Sequence, residues 1–352
     1  MRTAPVLALV TRGGRLESQH RGDVAVVDEE GQTIAAAGDP RRRIYLRSAA
    51  KPFQALPLLE GGGEQAFGLT SDDIALMCSS HGGEPRHVRV ARRLLGLAHA
   101  RVADLECGPQ LPMHEASASA LIARGESPSP LHNNCSGKHA GILLACRLFG
   151  LRLSGYIDPK HPLQQRILAR LAVFGGVSAG SVGIAVDGCD LPVFHLPLAN
   201  LALAYARLVA GGVDDESSRE RRARRRILRA MSESAGMVAG RGRFTTDFLE
   251  AGRGRWIGKE GAEGVYAIGI AARGGRSRAL GIAFKIEDGS TRARDAVTVD
   301  LLRRLGLLGP QLERRLSDYR DPVLRNTAGR EVGRIEAQAE ISMRHNRARG
   351  KP

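Results

Sequence analysis

Four residues stand out by type and spacing: Ser48 and Lys51, three apart, then Ser80 and Lys259. A serine hydroxyl is a weak nucleophile until a neighbouring base takes its proton. A lysine amine desolvated in a pocket can be that base near neutral pH. The chain writes almost every positive charge as arginine, 46 against 6 lysines, so each remaining lysine is informative. A guanidinium stays charged at any ordinary pH, whereas an amine can lose its proton and act as a base or ligand. Ser48-x-x-Lys51 at a helix start puts hydroxyl and amine on one face, and Pro52 is admissible in the first turn. By itself this spacing also arises on surface helices, and Ser79-Ser80-His81-Gly82-Gly83 also suits a plain turn. In combination, the four residues make two serine–lysine pairs lining one pocket. One hydroxyl would attack, one amine would take its proton, and the second pair would relay that proton to the leaving group.

A second dense stretch is His132-Asn133-Asn134-Cys135-Ser136-Gly137-Lys138-His139-Ala140-Gly141, followed at once by the apolar Ile142–Cys146. The apolar part reads as a buried helix, and Gly137 and Gly141 permit a close approach of backbone or ligand. With the remote Cys189, Cys135-x-x-Lys138 admits two readings. Two thiolates and a neutral amine could surround zinc with one position open, or the cysteines are small buried residues. His139 is a ligand, a substrate hydrogen-bonder or a structural imidazole.

The elements that must position these groups alternate along the chain. Val24–Val27 and Thr33–Ala36 flank a polar Asp28–Gln32 segment and predict a hairpin. A helix follows Ser48, a second follows a cap at Ser71–Asp73, and a third covers 88–97. Further helices are expected over 116–123, after Lys138, from Pro162, and over 197–211 and 218–236. Ile184–Pro192 reads as a buried strand ending in a sharp turn, and the segment carries Asp187 and Cys189. Strands over 266–271, 279–286 and 331–335 and a helix over 291–306 complete an α/β (α+β) chain. The sequence is divided into one catalytic domain over 1–340 and a basic tail over 341–352. No internal repeat occurs.

The net charge of +15 raises the question of nucleic acid. The arginines are spread along the chain, however, and the run at 219–226 has no interleaved aromatics for base stacking, so it reads as a solvated helix face. No apolar run is long enough to span a membrane, and the N-terminus lacks a signal-peptide pattern. Five cysteines without a signal argue for reduced thiols. The expected protein is cytoplasmic, with neither nucleic acid nor membrane as partner.

The order Ser-x-x-Lys, Ser, Lys-x-Gly is that of the β-lactamase-type serine hydrolases. More specifically, the chain resembles the rhizobial-type (class 3, asparaginase II family) L-asparaginases. The segments that carry the resemblance are His20-Arg21-Gly22, Arg47–Ala55, Ser80-His81, His132–Gly141, Val186–Cys189, Lys259-x-Gly261-Ala262-Glu263-Gly264 and Lys285-Ile286-x-Asp288-Gly289. The resemblance implies a serine β-lactamase/glutaminase-like unit, often a homodimer, that hydrolyses L-asparagine to L-aspartate and ammonia. It implies Ser48/Lys51 and Ser80/Lys259 as catalytic pairs. It also implies Zn2+ at Cys135, Lys138 and Cys189, tuning substrate binding rather than performing the hydrolysis. Arg47 is assigned to the substrate carboxylate, Asp187 or Glu263 to its α-ammonium, and His139 to substrate binding. The chain departs from the family pattern at Asp190 and at Ser234-Ala235-Gly236. The competing readings are a serine–lysine hydrolase of another amide, such as glutamine or a β-lactam, and a non-enzymatic zinc- and nucleic-acid-binding protein.

Overall fold

The computed structural model describes residues 3–211, 213, 215–272 and 278–343; the expected tail lies outside them from residue 344 onward. The chain forms two compact units. The first comprises Met1–Ile44, Pro197–Ala210 and Ala262–Pro352, and the second Tyr45–Leu196 and Gly211–Gly261.

The first unit is built on an antiparallel sheet. Its strands run in the order Val323–Arg325, Glu331–Ala337, Val6–Arg12, Arg15–Asp28, Leu280–Ile286, Val265–Ile270. The 14-residue Arg15–Asp28 strand is its spine. It pairs with Val6–Arg12 at one end and holds both Leu280–Ile286 and the expected hairpin partner Thr33–Ala37 at the other. Every residue of Val265–Ile270 is buried, which explains why that segment reads as continuous rather than alternating hydrophobicity. The Leu198–Val209 helix lies hard on the sheet: a Cβ on Gly281 would stand 1.7 Å from the Ala202 carbonyl oxygen.

The second unit is mostly helical, and two of its helices are buried nearly all round. Lys51–Leu59 is buried at every position of the Lys51–Glu60 helix, and Ser136–Cys146 at every position of the Ser136–Leu148 helix. A helix apolar on all sides belongs in the centre of a bundle, and these two pack on each other. Ser71–Met77 starts at a capping box between Thr70 and Asp73, one residue before the cap expected from sequence. Gly137 and Gly141 serve helix packing: Cβ atoms there would stand 2.4 Å from the Leu76 carbonyl oxygen and 2.5 Å from Met77 Sδ. The close approach they permit is to the Ser71–Met77 helix.

One predicted strand differs in its environment. Gly183–Val186 is a strand, but Ile184 is 41% exposed and Val186 70%; the buried member of the hairpin is its partner Pro192–Pro197. A short apolar run does not say which of two paired strands faces the core. Three of the seven arginines of the Ser218–Glu233 helix stand in ion pairs, Arg224 with Glu216, Arg226 with Glu64 and Arg229 with Glu233. No helix among the described residues is long and apolar enough to cross a membrane.

Candidate active site

Three of the four serine and lysine positions meet at one hydroxyl. Ser80 Oγ accepts a hydrogen bond from Lys51 Nζ at 3.0 Å and another from Lys259 Nζ at 3.0 Å. Lys51 also donates to the Ser79 carbonyl, and Lys259 to the Glu260 carbonyl at 3.0 Å. Both amines are fully buried and Ser80 is nearly so. Lys51 stands on the buried helix, whereas Lys259 lies inside the fully buried Trp256–Gly261 strand. Ser80 sits in the turn after Ser71–Met77. Its amide donates to the Val238 carbonyl at 2.9 Å, and its own carbonyl accepts from Arg243 at 2.6 Å.

Two amines on one hydroxyl in a water-excluded pocket disfavour both being charged. Lys259 shows this: burial lowers its pKa to about 7, Glu260 works in the opposite direction, and Lys51 and Arg243 add to the lowering. Near neutrality, therefore, one member of the cluster can hold or release a proton.

Ser48 lies in the 3-10 turn Arg47–Ala50 that runs into the Lys51–Glu60 helix. It is half-buried and, among the described residues, holds no side-chain hydrogen bond. The expected contact with Lys51 is not made, because the Lys51 amine is drawn to the Ser79 carbonyl and Ser80 hydroxyl. Arg47 opens this turn with a left-handed φ of 50°, a conformation that costs a non-glycine residue on the order of 1 kcal/mol. Its Nε donates to Asp187 Oδ1 at 2.8 Å. Burial opposes the Asp187 charge, but Lys138, Arg47 and the Gly188 N–H together hold its pKa below the usual carboxylate range. Arg47 and Asp187 thus form one charge pair beside Ser48. Asp190, the departure after Cys189, has φ 66° and donates its amide to the Asp187 carbonyl. The turn therefore calls for a left-handed residue, which aspartate tolerates better than most.

Cys135, Lys138 and Cys189 also come together. Lys138 Nζ donates to Cys189 Sγ at 3.1 Å, and all three residues are buried. The hydrogen bond from the Cys189 thiol holds the Cys135 pKa well below its ordinary value against the effect of burial. The same bond, with burial, pushes Cys189 up. Burial disfavours the Lys138 charge, but the two sulfurs outweigh it and raise its pKa. Two sulfurs and, once it has given up its proton, the Lys138 amine are donor types that would suit zinc. Among the described residues no three His, Cys, Asp or Glu side chains form a metal-holding group.

His139 is fully buried behind this trio, its Nδ1 2.6 Å from the Tyr156 hydroxyl. Tyr156 accepts from the Glu106 amide, so it gives its own proton to Nδ1. The Nε2 proton then faces the Cys189 carbonyl without reaching a well-formed hydrogen bond. Burial, then Lys138 and Lys51, keep the ring neutral. Glu263 belongs to the first unit, at φ 61° before the Val265–Ile270 strand, where its carbonyl accepts from Lys285.

Two residues around Ser80, Glu260 and Arg243, carry no sequence signal of their own. Glu260 is visible only as the neighbour of Lys259, and Arg243 is one arginine among 46. His81 is buried with Nε2 2.9 Å from Ser136 Oγ and its ring stacked on His87 at 5.0 Å. The departure at Ser234–Gly236 leads into the short Ala235–Val238 helix, whose Gly236 carbonyl accepts from His87 at 2.9 Å.

A mixed α and β chain whose core places a serine between two lysines is equipped for acyl transfer. The chain belongs to the L-asparaginase II family, whose model matches residues 8–337, and it is thereby an amidohydrolase. The comparison with curated proteins found no match. Among solved structures, Mglu is similar at 16% identity and TM-score 0.36, over 82% of this chain and 67% of that one. A beta-lactamase from Sphaerobacter thermophilus is similar at 14% identity and TM-score 0.41, over 83% of this chain and 93% of that one. A probable glutaminase from Bacillus subtilis, complexed with 6-diazo-5-oxo-L-norleucine, is similar at 12% identity and TM-score 0.35, over 81% and 84%. At these scores the likeness supports no conclusion about substrate or mechanism.

Proposed function

We propose that the protein hydrolyses L-asparagine to L-aspartate and ammonia, with Ser48 as nucleophile and Ser80 as a proton relay. The observation behind this reading is the Ser80 hydroxyl, 3.0 Å from each of two buried amines. A hydroxyl held at both sides and shielded from solvent is placed to pass protons, whereas half-buried Ser48 can meet a substrate. The Ser48 hydroxyl attacks the side-chain carbonyl carbon while Lys51 takes its proton. Ser80 conveys that proton to neutral Lys259, and from there it reaches the departing nitrogen, which leaves as ammonia when the carbon–nitrogen bond breaks. Water, deprotonated along the same path, then cleaves the acyl ester and restores Ser48.

The Arg47–Asp187 pair beside Ser48 suits a zwitterionic amino acid, with its α-carboxylate on the guanidinium and its α-ammonium on the carboxylate. Glu263 is a second candidate for the α-ammonium. His139, whose Nε2 lacks a well-formed partner among the described residues, is a further candidate for substrate binding. When zinc is bound, Cys135, Lys138 and Cys189 would hold it, and the ion supplies a fixed positive charge that tunes substrate binding. The protein works as a homodimer in this reading.

Ammonia release by purified protein from asparagine and from glutamine, with ring opening of a β-lactam followed by ultraviolet absorbance because it frees no ammonia, tests the substrate. Turnover of glutamine or the β-lactam alone would move the assignment to another amide, and turnover of none would overturn the hydrolase reading. Ser48→Ala with near-normal turnover would remove the nucleophile.

A further inference from the structure

The Lys259–Glu260 contact is unusual for a strand. Successive side chains on a strand point to opposite faces, yet Lys259 Nζ lies 3.2 Å from the carboxylate of its immediate neighbour. Something must hold the carboxylate there, and two groups do. Thr245 Oγ1 donates to Glu260 Oε2 at 2.7 Å, and Arg243 Nη2 donates to Oε1 at 3.2 Å. The other arm of Arg243 donates to the Ser80 carbonyl at 2.6 Å and to the Ala239 carbonyl at 3.2 Å. The loop that presents Arg243 is itself fixed: the Arg241 amide donates to buried Glu84, and Thr246 Oγ1 to the Gly240 carbonyl at 2.6 Å.

One guanidinium therefore ties together the two elements that must stay in register, the turn carrying Ser80 and the strand carrying Lys259. We propose that Arg243 and Glu260 are positioning residues of the proton relay: Arg243 clamps the Ser80 backbone to the Glu260 carboxylate, and that carboxylate keeps the Lys259 amine on the Ser80 hydroxyl. Neither residue touches the substrate in this account. The inference rests on the relay assigned to Ser80 above.

The electrostatics give the proposal a signature that a merely structural role lacks. The charged and titratable groups facing Lys259 are Glu260, Lys51, Arg243 and the Cys78 thiol, which burial pushes up to about 12 and so keeps neutral. Glu260 is the one anion among them. Glu260→Gln keeps the shape and deletes the charge, which drives the Lys259 pKa further down. If neutral Lys259 receives the Ser80 proton, the acid limb of the kcat profile moves to lower pH.

The experiment measures kcat and KM for asparagine across pH in wild type, Glu260→Gln, Glu260→Asp and Arg243→Lys, with Ser80→Ala as reference. In Glu260→Gln the acid limb should fall by about one pH unit or more, with kcat reduced about tenfold and KM within about twofold. Glu260→Asp should return the limb toward its wild-type position. Arg243→Lys keeps the charge but loses the fork, so kcat should fall while the limb stays. An unmoved limb in a folded Glu260→Gln protein overturns the proposal, as does full kcat in Arg243→Lys should the glutamine variant not fold. Full activity in Ser80→Ala would instead overturn the relay itself, so the two failures are distinguishable.

Discussion

Replacing Gly137 by alanine tests whether the chemistry depends on the packing of the helices beneath it. An added Cβ would stand 2.4 Å from the Leu76 carbonyl oxygen and 2.5 Å from Leu76 Cγ, where ordinary contact begins at 3.4 Å. The Ser136–Leu148 and Ser71–Met77 helices must then part by about 1 Å, because the nearer obstacle is backbone and cannot rotate aside. Overpacking of this kind costs about 3 kcal/mol. Alanine returns about 1 kcal/mol through its better helix propensity, leaving a net loss of about 2 kcal/mol. The same separation stretches the 2.9 Å contact between His81 and Ser136, which ties the residue after Ser80 to this helix. A displacement of about 1 Å in a catalytic group lowers turnover by roughly tenfold to a hundredfold. Urea unfolding followed by circular dichroism gives the first quantity, and ammonia release gives the second. Gly96 supplies the control: it is also helical, a Cβ there would meet nothing within 4 Å, and Gly96→Ala should stabilise by about 0.5 kcal/mol. If Gly137→Ala behaves like Gly96→Ala in both assays, the packing argument is wrong.

The remaining expectations concern charge, metal and capping. Turnover should rise through about pH 7 as Lys259 becomes neutral, and a flat profile between about 5.5 and 8.5 would show that Lys259 does not titrate in the reaction. Burial raises the Glu60 pKa to about 7 despite its ion pair with Arg170, so Glu60 binds a proton more tightly folded than unfolded. Its contribution is fully present below about pH 4.5 and lost as pH rises through about 7, by at most about 3 kcal/mol. Glu60→Gln should flatten stability over that window, and an unchanged slope in urea titrations at several pH values would refute it. Cys135→Ser should lower the zinc retained after gel filtration, read by elemental analysis, and raise KM more than it lowers kcat; unaltered zinc content would place the metal elsewhere. Thr70→Ala removes one half of a capping box and should cost about 1 kcal/mol in the same unfolding assay; a cost indistinguishable from zero would show that the Asp73 carboxylate caps the helix alone.

Local chemistry was the most legible part of the sequence. The rarity of lysine singled out Lys51, Lys138 and Lys259, and all three amines prove to be buried with polar partners. The central hairpin and most helices were legible from their apolar runs and end signals, including the two helices that are buried on every side. What sequence could not supply was partner choice. Spacing pairs Ser48 with Lys51, but the two intervening residues say nothing about the Ser79 carbonyl that draws the amine away. Arg243 and Glu260 act through contacts that join segments far apart in the chain, and no local pattern marks them. Gly137 and Gly141 suggested room for a ligand, since close approach looks the same in sequence whether the visitor is a substrate or a neighbouring helix.

The division between buried lysines and the more open Ser48–Arg47–Asp187 edge bears on how such a protein can diversify. Lys51, Ser80 and Lys259 are set into the packed interior of their unit, so a change there disturbs packing as well as chemistry. Arg47 and Asp187 sit on a short turn and a hairpin connection that carry little of that interior. On the function proposed above, selection can explore new amides by changing the edge while inheriting the proton path intact, and laboratory libraries aimed at altered specificity belong at the same few positions.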